Sequence, residues 1–65
     1  MKVSINKREH ELAEGATLAD AVAAIAAQPP FAAAVNTQFV PKTQYAQHRL
    51  HDGDSIEIIS PVTGG

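Results

Sequence analysis

The residues best placed to do chemistry are the last two, Gly64-Gly65. A glycine pair there sets a carboxylate on backbone that carries no Cβ, so nothing obstructs its approach to another protein's active site. Ser60-Pro61-Val62-Thr63 precedes it with a proline and no helical pattern, and reads as an extended segment able to thread a narrow channel. Such a pair would end about one chain in 200 by chance, at a glycine usage of about 7%. The ordinary alternative is a frayed end without function. Residues 61–65 are therefore expected to form a flexible tail on a domain spanning 1–60, with Gly65 as the reacting residue and Gly64 and Thr63 as the tail that presents it.

Other chemistries find little support. Cysteine is absent, which removes disulfides, thiolate zinc sites and thiol nucleophiles. His10, His48 and His51 include no HxxxH spacing and read as surface or strand residues rather than metal ligands. The net charge of −2 and pI near 5.8 disfavour binding driven by nucleic-acid phosphates. Lys7-Arg8 is the one basic pair, and Glu9 and Glu11 follow it. The apolar stretches are too short to span a membrane. Met1-Lys2-Val3-Ser4-Ile5 resembles a strand rather than a signal peptide, so a cytoplasmic location is expected.

The elements that must position the tail fit one domain, since the chain has 65 residues. A domain this small buries about 60% of its unfolded surface and has a stability of several kcal/mol. Met1, Val3 and Ile5 alternate with polar residues, the period of a half-buried strand. Asn6 to Glu9 reads as a polar turn and His10 to Ala13 as a short returning strand, before Glu14-Gly15 breaks the pattern. Thr17 and Asp20 form a capping-box pair at the start of a helix. Leu18, Val22 and Ile25, widened by Ala21 and Ala26, supply its apolar stripe, and Gln28-Pro29-Pro30 is expected to end it.

Phe31 to Val35 and Gln38 to Val40 read as strands, with Asn36-Thr37 between them and Pro41 as a stop. Thr43 to Gln47 suits a 3₁₀-like turn with Tyr45 as an anchor, and His48 to Leu50 a brief strand. Asp52-Gly53-Asp54 is a turn, and Ser55 to Ile59 the strongest strand. If Ile56 and Ile58 face the core, Glu57 and Ile59 face away, so that Ile59 and Phe39 form a small apolar docking patch; ordinary burial of both is the competing expectation. This order predicts an α+β fold: a mixed four- to five-stranded sheet packed on one helix, a β-grasp with the first and last strands side by side.

The second half of the chain resembles the ThiS family of ubiquitin-like β-grasp sulfur carriers. Ala34-Val35-Asn36, Val40-Pro41, Ala46-Gln47-His48, Asp52-Gly53-Asp54 and Gly64-Gly65 fall in that family's order and spacing, and the total length agrees. Tyr45 stands where tryptophan is also expected, and the helix is richer in alanine; neither departure touches the tail.

The resemblance implies a protein co-substrate rather than an enzyme. An E1-like adenylyltransferase of the ThiF type would use ATP and magnesium to convert the Gly65 carboxylate to an acyl-adenylate. Sulfur from a persulfide donor would then replace AMP, and a thiazole synthase of the ThiG type would consume the Gly65 thiocarboxylate in thiamine synthesis. Without a cysteine, sulfur carried by this chain has only the terminal carbonyl to sit on. The chain itself would bind no cofactor, metal, nucleic acid or membrane. Three alternatives stay open: a carrier feeding molybdopterin or amino-acid synthesis, a ubiquitin-like modifier joined to lysines through Gly65, and a β-grasp interaction module that never uses its tail.

Overall fold

The structure is a computed structural model and describes residues 1–60. The expected tail, residues 61–65, lies outside the described residues. Among the described residues, five strands and one helix occur in the order β1 (Lys2–Ile5), β2 (Arg8–Glu11), α1 (Leu18–Ala24), β3 (Ala32–Val35), β4 (Gln38–Val40) and β5 (Ser55–Ile59), with a 3₁₀ turn at Lys42–Gln44 before β5. The sheet order is β2-β1-β5-β3-β4. β1 and β5 run parallel at the centre, as expected, and every other pairing is antiparallel.

Alternation along the strands decides what is buried. Val3 and Ile5 of β1, Ala33 and Val35 of β3, Val40 of β4 and Ile56 of β5 point to one face. Leu18 and Ala21 of α1, both without exposed surface, complete the core with Tyr45 and Leu50. Phe31 packs against this core and stacks on Tyr45, with ring centroids 6.0 Å apart. Tyr45 is thus the anchor its position suggested, one residue past a 3₁₀ turn that begins at Lys42 rather than Thr43. Ile58, expected in the core, is half-buried at its margin.

The helix begins as its capping signal predicts. The Thr17 N–H donates to the Asp20 carboxylate at 2.8 Å, and the Thr17 hydroxyl donates to the same oxygen at 3.3 Å. Its end differs from the expectation. α1 stops at Ala24, well before Pro29-Pro30, because Ala26 adopts a left-handed φ of 52°. The Ala26 N–H then donates to the Ala23 carbonyl and the Ala27 N–H to the Val22 carbonyl, the pair of bonds of a Schellman cap. Val22 and Ile25 are accordingly half-buried, while Ala26 is exposed and off the helix, so it widens no stripe.

Two further boundaries move. The first hairpin turns on Asn6-Lys7 alone, so Arg8 and Glu9 belong to β2. Positive φ at both turn residues gives the twist that lets antiparallel strands close over a two-residue loop. His48 to Leu50 forms no strand; Arg49 makes an isolated antiparallel bridge with Thr17. The pairing cannot lengthen, because the chain enters α1 immediately after Thr17.

Candidate functional site

The site is assembled at β5, the strand that leads toward Gly64-Gly65. Its start is set by the turn at Asp52-Gly53-Asp54. Gly53 has φ 88°, where a side chain would be strained, and its N–H donates to the Lys2 carbonyl at 2.7 Å. Asp54 accepts from the His51 N–H at 2.7 Å and from the Asn36 side-chain amide at 3.0 Å.

Two asparagines then hold β5 from opposite sides in the same way. Asn36 donates its backbone N–H to the Ser55 carbonyl at 2.7 Å, and its side-chain oxygen accepts from the Ser55 N–H at 2.9 Å. Asn6 donates its backbone N–H to the Ile56 carbonyl at 2.9 Å, and its side-chain oxygen accepts from the Ile58 N–H at 2.9 Å. Each opens a hairpin turn with both residues at positive φ: Asn6-Lys7 at 52° and 68°, Asn36-Thr37 at 51° and 70°. In a regular ladder the backbone carbonyl of each would take the returning N–H. Here the chain has begun to turn away, and the side-chain amide takes that place.

In the sequence both asparagines read only as turn residues, Asn36 also as part of a motif, and neither is given a bond to β5. The signal was present in an internal echo: Ile5-Asn6-Lys7 and Val35-Asn36-Thr37 each close an alternating strand with a residue that tolerates left-handed backbone.

The predicted docking residues are brought to one face. Phe39 on β4 is 68% exposed and Ile59 on β5 is 58% exposed, both on the side of the sheet away from the core. β3 runs between them: Ala34 is opposite Phe39, and Ala32 is opposite Ile59. Small side chains on the intervening strand leave a shallow apolar floor between two large residues. Glu57, opposite Ala34 on β5, supplies a carboxylate beside it. Thr63, Gly64 and Gly65, the other predicted site residues, lie outside the described residues. Among the described residues, no group of three or more His, Asp or Glu side chains could hold a metal, and no helix is long and apolar enough to cross a membrane. The N-terminal ammonium donates to Glu11 at 3.2 Å and to the Leu12 carbonyl at 2.8 Å; the Glu11 bond raises its pKa above the ordinary value.

A mixed five-stranded sheet with parallel first and last strands at its centre, and one helix against one face, defines a ubiquitin-like β-grasp. The chain belongs to the ThiS family, whose model matches residues 2–65. It is 33% identical over 66 residues to the sulfur carrier protein ThiS of Escherichia coli (strain K12), across the full length of both chains. Membership places it among sulfur carrier proteins rather than enzymes. Its fold is shared with the crystal structure of a thiamine biosynthesis protein, ThiS, from Geobacter metallireducens, at TM-score 0.82 and 17% identity over the whole of both chains. An NMR structure of a thiamine biosynthesis protein from the same organism matches at TM-score 0.80 and 17% identity, covering this chain fully and 88% of that one.

Proposed function

We propose that this protein carries sulfur on Gly65 for synthesis of the thiamine thiazole. The observation that supports this most is the family match, which runs through Gly64-Gly65 in a chain without cysteine. A carboxylate is a poor electrophile. An E1-like adenylyltransferase of the ThiF type therefore activates it: a Gly65 oxygen attacks the α-phosphorus of magnesium-bound ATP, and pyrophosphate leaves. The terminal sulfur of a persulfide then attacks the carbonyl carbon and AMP departs. A thiol cleaves the resulting S–S bond to release the thiocarboxylate, which a thiazole synthase of the ThiG type consumes. Gly64 keeps the terminal backbone narrow enough for the adenylating channel. Phe39 and Ile59 give the adenylyltransferase an apolar surface on the folded body.

Incubation with a cognate adenylyltransferase, ATP, magnesium and a persulfide donor should exchange one terminal oxygen for sulfur, read by intact mass. Deleting Gly65 should abolish the exchange. If the shortened chain still accepted sulfur, the terminal mechanism would be wrong. If neither chain did, while both bound a partner through the sheet, the protein would act as an interaction module.

A further inference from the structure

We infer that Asn6 is a positioning residue for this reaction: its side-chain carbonyl holds Ile58 and so fixes the point from which the chain leaves the sheet toward Gly65. The inference rests on the sulfur-carrier reading above and adds to it a residue far from the terminus in sequence. Asn6 and Ile58 lie 52 positions apart.

The geometry of the parallel ladder carries the argument. Ser4 and Asn6 donate their N–H groups to the carbonyls of Asp54 and Ile56, each at 2.9 Å. A residue that donates in this way normally accepts, with its own carbonyl, the N–H two residues further along the partner strand. For Asn6 that N–H belongs to Ile58. The left-handed turn at Asn6-Lys7 carries the backbone away, and the side-chain oxygen makes the bond at 2.9 Å. The β1 side of the ladder thus continues past the point where its backbone has left.

This bond lies at the end of β5 nearer Gly64-Gly65, next to Ile59. The equivalent bond of Asn36 lies at the other end of the strand, on Ser55. The two sites share the side-chain acceptor and the turn geometry, and differ in which end of β5 they hold and in the further bond that the Asn36 amide donates to Asp54. Strand ends open locally at little cost to global stability. Loss of the Asn6 bond leaves the last residues of β5 held from the β3 side alone, where Ala32 pairs with Ile59, so they open more readily and a partner must order them on binding. Such a cost falls on formation of the complex rather than on the chemical step.

The test compares Asn6→Gly, Asn6→Asp and Asn36→Gly with the unaltered chain. Glycine keeps the left-handed turn; at position 6 it removes the acceptor for Ile58, and at position 36 it removes both the acceptor for Ser55 and the donor to Asp54. Aspartate at position 6 keeps the acceptor. Three readouts are needed: amide hydrogen exchange at Ile58, thermal unfolding, and ATP–pyrophosphate exchange by the cognate adenylyltransferase as the carrier concentration is varied. Asn6→Gly should speed exchange at Ile58 and raise KM by about three- to tenfold, the range for one hydrogen bond, with kcat unchanged. Asn6→Asp should restore KM. Asn36→Gly, which loses two side-chain bonds rather than one, should lower the unfolding temperature at least as much as Asn6→Gly and leave KM alone. An unchanged KM in Asn6→Gly overturns the inference by itself. So does an equal rise in Asn36→Gly, which would mark both as merely structural. If the unaltered chain supports no pyrophosphate exchange, the sulfur-carrier reading fails and takes this inference with it.

Discussion

The face of the sheet beneath α1 and the face turned away from it come from the same five strands, yet they carry opposite kinds of residue. Under the helix stand Val3, Ile5, Ala33, Val35, Val40 and Ile56, each no more than 5% exposed. On the other side, Ser55, Glu57 and Ile59 follow one another along β5, and Phe39 stands on β4, so the open face carries two large apolar residues among polar and small ones. Neighbouring residues such as Ile56 and Glu57 thus serve different ends, because successive side chains of a strand point to opposite sides. The covered face holds the fold together. The open face can change without unfolding it, which leaves it available for recognition.

The sharpest way to break this contrast is at Ile56, which has no exposed surface. Ile56→Ala should cost about 2–5 kcal/mol, a large share of the stability of a domain this small, and shift the urea midpoint accordingly. Ile58→Ala should cost less, since that side chain is half-buried. Equal midpoints for the two variants would refute the core boundary drawn here.

On the open face the expected effects change in kind. Phe39→Ser and Ile59→Ser should each leave unfolding within about 0.5 kcal/mol of the unaltered chain. Each should raise KM for adenylation by about tenfold, equivalent to about 1.4 kcal/mol lost at an interface. A loss of stability without a change in KM would show that these residues serve the fold after all.

The ends of α1 give the smaller effects, and both lie on the helix side of the sheet, away from the open face. Asp20→Ala removes the acceptor at the start of the helix and should destabilise by about 1 kcal/mol. Ala26→Gly relieves an alanine held at φ 52° and should stabilise by about 0.5–1 kcal/mol, net of glycine's greater freedom when unfolded. At about 4–8 °C per kcal/mol, calorimetry resolves both shifts. Neither variant should alter KM, and a change there would mean that the two faces are coupled.

Much of this arrangement is legible along the chain because it is periodic or local. Alternation at Met1 to Ile5 and Ser55 to Ile59 marks the strands, and Thr17 with Asp20 marks the helix start three residues apart. The helix end was less legible. Pro29-Pro30 is a strong stop signal, whereas an alanine that adopts left-handed backbone carries no sign of it. Arg49 likewise pairs with Thr17 for a single residue, and nothing near Arg49 announces that its partner enters a helix.

By itself the sequence determined the α+β class, the strand that leads to the terminus, the exclusion of thiol chemistry and the family to which the glycine pair belongs. Each follows from residue type, short-range spacing or an ordered set of motifs. Only the tertiary structure decided that Ile58 sits at the core's margin, that Phe39 and Ile59 share an open face across two alanines, and that Asn6 completes the ladder to Ile58. A strand's alternation says that it has two faces. Which face the helix covers, and which distant N–H a turn asparagine receives, depend on strands that meet only when the chain has folded.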